Sequence, residues 1–281
     1  KDEFADNGHV PYEMYVREAR RIVGRHVFNE QDNSLAEGFA RTPVHADSVA
    51  VTDWYMDSHA CTTDSRPNYH YDGKLILTEE SRPAQIPYRA LLPQELDNLL
   101  VPVCLSATHI AWGAVRLEPV WMQTGEAAGV AAGLAKREGT TPGELDADLL
   151  VRTLAERRHL VSFFNDLKVD AEDPRIAAIE YLGTRGFVHD YNARLDESLA
   201  PGTAKLWAKA CGDMLSGTLD ANALAKAVAQ SEAETAATLS AGEFAAMLLS
   251  RSATALSDDQ PITRGAAAMM ILAVLNRPRA K

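Results

Sequence analysis

The alternation of apolar and polar residues changes character along the chain. Ser48-Val49-Ala50-Val51-Thr52-Asp53-Trp54 alternates and is rich in β-formers, which predicts a half-buried strand. Residues 74–78, Lys-Leu-Ile-Leu-Thr, read as a second short strand opened by an Asp72-Gly73 turn. Residues 98–103 form an apolar run that predicts a buried strand of an α/β sheet, with Pro102 pushing it to an edge or an end. Residues 105–113 read as a loop. From Pro119 to about Arg137 the pattern is helical. Proline suits the first helical position, Lys136 and Arg137 sit in the last turn, and Gly139 lies just beyond. Residues 12–28 fit helix and strand equally.

Beyond residue 172 helical patterning dominates. Residues 176–182 read as a helix, with Asp170-Ala171-Glu172-Asp173-Pro174 as the start signal. A weak repeat follows. Leu199-Ala200-Pro201-Gly202-Thr203-Ala204 matches Ile262-Thr263-Arg264-Gly265-Ala266-Ala267 at an offset of 63, and Leu239-Ser240-Ala241-Gly242-Glu243-Phe244 matches both. Each places capping chemistry before an amphipathic helix, which suggests stacked helical modules.

Charge and composition divide the chain at the same place. Residues 1–150 carry 13 basic and 23 acidic groups, and residues 151–281 carry 15 and 16. The first part also holds three of the four tryptophans and six of the eight histidines. The expected organisation is an α/β or α+β domain over 1–150, a linker over 151–171 and an all-α domain over 172–281. The net charge of −11 and the absence of a basic stripe argue against a general nucleic-acid binder. No apolar run reaches the length of a membrane-spanning helix. Cys61, Cys104 and Cys211 are too scattered for a disulfide framework or a zinc site, although one Cys61–Cys104 bridge stays open. No metal site is expected, and Asp190, Asn192 and Asp196 read as turn chemistry. The chain opens at Lys1 without a signal-like segment, so the expectation is a processed piece of something longer.

Candidate chemistry concentrates between residues 99 and 133. Gly125, Gly129 and Gly133 share one face of the long helix. Each glycine costs a helix ~0.8–1 kcal/mol relative to alanine. Close approach of a strand or a ligand is the expected compensation. His59 lies in a polar segment and suits a general acid–base role; His109 suits the lining of a site. Arg89, beside Tyr88 in an extended stretch, suits a carboxylate clamp, or equally a salt bridge holding its loop.

Several ordered motifs resemble one family. Arg17-Glu18-Ala19-Arg20-Arg21-Ile22-Val23-Gly24, Asp53-Trp54-Tyr55-Met56-Asp57-Ser58-His59, Ile86-Pro87-Tyr88-Arg89-Ala90-Leu91-Leu92-Pro93 and Ser106-Ala107-Thr108-His109 are four of them. Asp97-Asn98-Leu99-Leu100-Val101, Arg116-Leu117-Glu118-Pro119 and Gly125-Glu126-Ala127-Ala128-Gly129 complete the series. Together they resemble the C-terminal half of FAD-dependent oxidoreductases of the glutathione-reductase-like kind, some labelled putative xanthan lyases. The resemblance covers residues 12–137 and implies a two-dinucleotide-binding fold without its N-terminal Gly-rich Rossmann segment. It implies FAD as cofactor. It places Ser106, Ala107, Thr108, His109, Arg116, Gly125, Glu126 and Ala127 beside the flavin, and His59, His109, Arg89 and Tyr88 as catalytic candidates. Pro102-Val103 replaces the Gly-Arg that many members carry before the cysteine. The repeats resemble S-layer homology modules, which bind cell-wall glycan; Pro261-Ile262-Thr263-Arg264-Gly265 is the nearest match.

The resulting expectation is a fragment or subunit of a flavin oxidoreductase that takes hydride from an organic, carbohydrate-related substrate. Alone it is expected to be inactive and to release FAD. Its expected partners are the missing FAD-binding segment or a chain supplying it, a small-molecule or glycan substrate, and a second copy of itself. An extracellular or periplasmic location is expected. The alternatives are a secreted glycan-binding module and a polysaccharide lyase.

Overall fold

A computed structural model describes residues 2–13, 16–61, 73–168, 172–232, 238–249 and 260–276. Among these the chain is mixed α/β. Its strands are β1 (Ser48–Thr52), β2 (Met56–Ser58), β3 (Leu75–Leu77) and β4 (Ala84–Pro87). Its α-helices are α1 (His109–Val115), α2 (Glu118–Glu138), α3 (Ala147–Glu156), α4 (Pro174–Gly183), α5 (Pro201–Ser216), α6 (Ala221–Ser231), α7 (Ala241–Leu249) and α8 (Arg264–Leu275). The strands form two separate antiparallel pairs, β1 with β4 and β2 with β3.

Local chemistry sets the helix ends. Pro119 opens α2, and Gly139 closes it at φ 70°, donating to the Ala135 and Lys136 carbonyls. Asp146, Asp173, Asp220 and Thr263 cap α3, α4, α6 and α8 through side-chain oxygens. Ser240 and Glu243 exchange backbone bonds as a capping box at α7.

The structure departs from the sequence pattern in several places. β1 is buried along its whole length rather than on one face, because β4 pairs with it while α2 and α3 pack against it. Residues 98–103 are not a strand. Val101 donates to Leu91, while Leu99 and Val103 stand 42% and 43% exposed. The described part of 12–28 is irregular, anchored by single bridges from Gly24 to Pro93 and from Phe28 to Ala107. Met14, Tyr15, Asp72, Asp170 and Ala171 lie outside the described residues. All three cysteines are free thiols.

One apolar core cluster runs from Phe28 to Leu275. The stretch expected to link two domains contributes Val151, Leu154, Ala155, Val161 and Phe164 to it. Buried polar contacts also cross the expected boundary. The Arg41 guanidinium donates to the Ser162 hydroxyl and the Asp190 carbonyl, and Asn222 brackets the Val44 backbone on both its N–H and its C=O. The three repeat motifs meet in space, Ser198 bridging Thr263 and Ser240 bridging Pro261.

The glycine face of α2 carries no close contact. A Cβ built on Gly125, Gly129 or Gly133 meets nothing within 4 Å. The side of α2 that packs on the core is instead Val120, Thr124, Ala127, Ala128, Ala131, Leu134 and Ala135. Packing does demand glycine at Gly113 on α1, whose Cβ would lie 2.6 Å from the Asp57 carbonyl carbon and oxygen.

Candidate functional site

The strip Ser106–Thr108 is fixed against Phe28. Phe28 donates to the Ser106 carbonyl at 3.0 Å, and Thr108 returns a bond to the Phe28 carbonyl at 2.9 Å. The Thr108 hydroxyl donates to Glu30 Oε1 at 3.0 Å and accepts from the Ala111 N–H at 3.2 Å, which starts α1 at the next residue. The expected loop therefore gives way to a helix here, with His109 as its first residue.

His109 is held at both ring nitrogens. Nδ1 lies 2.7 Å from Glu18 Oε1 and Nε2 lies 2.8 Å from the Gly73 carbonyl oxygen. Both partners are acceptors, so the doubly protonated ring satisfies both. Burial alone would lower its pKa; the Glu18 hydrogen bond, the Gly73 carbonyl and the Glu18 charge outweigh that and raise it above the ordinary value. Cys61 Sγ stands 3.7 Å from Nε2. Glu18 is shared with Arg21, whose Nη1 lies 2.5 Å away and whose Nε donates to the Ala107 carbonyl. The Arg21 guanidinium also covers the Trp112 ring at 5.3 Å, and the Trp112 indole N–H donates to the Arg17 carbonyl.

His59 stands between two guanidinium groups. Arg17 Nη1 lies 3.3 Å from Nδ1, and Arg116 Nη2 lies 3.4 Å from Nε2. Arg116 also pairs with Asp57 at 3.0 Å. A guanidinium only donates, so His59 accepts through a ring lone pair. A cavity of about 530 Å³ is lined by Arg17, Glu18, His59, Cys61 and His109 among others.

The structure thus brings together three of the residues expected at the site: His59, His109 and Arg116. Thr108 borders them through its cap. Ser106 and Ala107 are buried; Ser106 Oγ has no partner, and Ala107 serves through its carbonyl. Gly125, Glu126 and Ala127 do not join the cluster. Ala127 faces the core, Gly125 is exposed, and Glu126 pairs with His159 at 3.3 Å. Tyr88 is buried with its hydroxyl donating to the Pro142 carbonyl at 2.8 Å, and burial raises its pKa well above the ordinary phenol value. Arg89 grips Asp47 with Nε at 2.9 Å and Nη2 at 3.2 Å. This is the salt bridge that holds its loop.

Arg89 also borders a larger cavity, of about 580 Å³, shared with Asp148, Arg152, Tyr181 and Arg185. The cations there are already spent. Asp148 accepts from Arg152 and Arg185, and both guanidinium groups lie over Tyr181, whose pKa burial pushes up to about 12. The smaller cavity is the candidate site, because imidazole, thiol and guanidinium groups converge on it.

Arg17, Glu18 and Asp57 entered the sequence analysis only within motifs, and Cys61 only as a possible disulfide partner. Glu18 and Asp57 sit inside the two quoted motifs at 17–24 and 53–59, which was the available signal. A family model described as FAD dependent oxidoreductase matches residues 1–156. The chain belongs to the FAD-dependent oxidoreductase family. No curated protein and no solved structure matches it. Every residue of the His59–His109 cluster falls inside the stretch matched to the FAD-dependent oxidoreductases, whereas α4 to α8 lie beyond it. Membership implies flavin-linked redox chemistry and FAD as the cofactor.

Proposed function

We propose that this chain forms the substrate side, and part of the flavin side, of an FAD-dependent oxidoreductase acting on a hydroxylated organic substrate, carbohydrates included. The carrying observation is the convergence of His59, His109 and Arg17 on one cavity, with the Arg116 guanidinium against the His59 ring. This donor-rich set suits an acceptor-rich group such as the carbonyls of a flavin ring or a diphosphate. When bound, FAD supplies the two-electron acceptor that protein side chains lack. His59, which lines the cavity and in its neutral form carries one acceptor nitrogen, is the candidate to take the substrate hydroxyl proton once substrate displaces a guanidinium contact. His109, oriented by Glu18 and Gly73, presents a positive ring edge that favours negative charge developing in the site. Cys61 lies within reach of the same ring.

The reading places the ADP half of FAD on residues supplied from elsewhere, in the same polypeptide or in a partner. The supporting fact is that no G-x-G-x-x-G following a strand occurs in this sequence. The test is flavin absorbance near 450 nm after gel filtration. The 281 residues alone should elute colourless, and co-expression with a family N-terminal Rossmann segment should give a yellow complex. In that complex His59→Asn should lower turnover by ~10²–10⁴-fold, as expected for loss of a general base, with flavin content preserved. Stoichiometric flavin on the isolated chain would refute the division of the site; full turnover by the His59 variant would refute the assigned base.

A second reading concerns α5, α7 and α8. It is favoured by the meeting of the three repeat motifs, Leu199 donating to Ile262 and Ile262 to Leu239. On this reading the helical part is an S-layer-like module that holds cell-wall glycan outside the cytoplasm. Co-sedimentation of the chain with purified cell-wall polysaccharide tests it, and recovery of all the protein in the supernatant would refute it.

A further inference from the structure

His26, Asp32 and His45 point one ligand atom each into a common space, all within 4.8 Å of one another. His26 Nε2 lies 2.8 Å from Asp32 Oδ2, and His45 Nε2 lies 2.9 Å from Asp32 Oδ1. The group is well removed from bulk water, with Asp32, His45 and His26 side chains 8%, 10% and 21% exposed. We propose that these three residues form a binding site for a divalent transition-metal ion of the Zn²⁺ or Co²⁺ type. The site lies outside the His59–His109 cluster and is independent of the reading given for it.

Several features support a built site. Two imidazoles and one carboxylate are the donor set of three-ligand zinc centres that keep a fourth position open. Nitrogen-rich sets of this kind favour late first-row metals over Mg²⁺ or Ca²⁺. With metal–ligand distances of ~2.0–2.2 Å, tetrahedral ligand atoms stand roughly 3.3 Å apart. The two N···O contacts, which go to different Asp32 oxygens, open by about half an ångström, and the imidazoles turn so that the three ligand atoms, now within 4.8 Å of one another, reach that spacing around the ion.

The main chain at each ligand is also anchored. Asp32 is fixed by the Asn29 backbone N–H at 2.9 Å within a capping box. The His45 backbone N–H donates to Gln85 Oε1 at 2.7 Å, and Asn222 on α6 brackets the preceding residue, Val44. The His26 backbone N–H donates to the Arg89 carbonyl. The nearby Arg89 guanidinium is neutralised by Asp47, so it opposes a cation weakly. A metal here ties the short 3-10 turn at Glu30–Asn33 and the segment before it to the loop before β1. It thereby braces Phe28, the hydrogen-bonding partner of the Ser106–Thr108 strip.

The experiment uses the full, tag-free chain dialysed against a chelator. Titration with Co²⁺ should give saturable visible absorption at one ion per chain, abolished by competing Zn²⁺. His26→Ala, at the most exposed ligand, should weaken Co²⁺ binding at least tenfold while keeping the native far-UV spectrum. In the unmodified chain, Zn²⁺ should protect His26 and His45, but not His9, from acylation by diethylpyrocarbonate. That readout needs no variant to fold. Absence of stoichiometric Co²⁺ binding, unchanged binding by His26→Ala, or protection of other histidines instead would each overturn the proposal. In that event the three residues are a carboxylate-bridged imidazole pair with a purely structural role.

Discussion

Two glycine substitutions should move stability in opposite directions. Gly113 sits on α1 where the helix crosses the β2 backbone. A methyl group there would fall 2.6 Å from the Asp57 carbonyl carbon and oxygen and close to the Asp57 N–H as well. Those atoms are backbone of a strand already paired with β3, so they cannot swing aside as a flexible side chain would. Overpacking of this kind costs about 1–3 kcal/mol, and rigid neighbours place Gly113→Ala at the upper end. Helix propensity returns about 1 kcal/mol in partial compensation. Gly129 lies in the middle of α2 with nothing within 4 Å of its Cβ. Gly129→Ala meets no clash, so only the propensity gain of ~0.8–1 kcal/mol remains. At ~2–4 °C per kcal/mol for a chain of this size, Gly113→Ala should lower Tm by roughly 2–8 °C and Gly129→Ala should raise it by about 2–4 °C. Differential scanning calorimetry of the two variants beside the parent chain measures both shifts. A Gly113→Ala protein that melts with or above the parent, or a Gly129→Ala protein that melts several degrees below it, would refute the packing argument. The same argument makes Gly125→Val and Gly129→Val nearly neutral, because the face that looked reserved for close packing is open.

Three further outcomes follow from the site and core. Thr108→Ala removes the cap of α1 and should cost about 1 kcal/mol, read by urea denaturation; no loss would mean that the Phe28 bridge alone sets the helix start. His109 has a folded pKa raised above its unfolded value. Its stabilisation should therefore be complete below about pH 6.5 and fade as pH rises through the folded value, so the stability gap between the parent and His109→Gln should narrow above neutrality. A gap independent of pH would deny the Glu18–His109 pair. Glu180 is buried, which pushes its carboxyl up to about 8 against the pull of the Ser162 and Val161 N–H groups and the Arg41 charge. The fold then holds a proton that the unfolded chain has lost, so stability should fall between about pH 4.5 and 8; Glu180→Gln should flatten that slope, and an unchanged slope would refute the assignment.

Much of the local structure could be read from neighbouring residues. The start and stop of α2, the Asp173-Pro174 opening of α4 and the Thr263 cap of α8 depend on contacts within about four positions, and each lies where the pattern put it. The candidate site was legible in part. His59, His109 and Arg116 lie within recognisable motifs, so their importance could be suspected without knowing where they would meet. Tyr88 and Arg89 lie in an equally good motif, yet their partners are Pro142 and Asp47, and they stabilise a loop.

The remainder was decided only by packing. Glu18 reaches His109 across 91 positions of sequence, and Arg17 reaches His59 across 42. Nothing in either segment marks the other, because the energy that joins them comes from elements that bring the segments together. Residues 98–103 are apolar enough for a strand, but without a neighbouring ladder they stay irregular. Gly125, Gly129 and Gly133 form a clear stripe, while Gly113 stands alone; only the course of β2 shows which one the fold requires. Sequence thus determined where the helices begin and end and which residues carry chemistry, since capping and periodicity act over a few residues. Tertiary structure decided which of those residues share a site, since that depends on contacts between segments whose patterns are independent of each other.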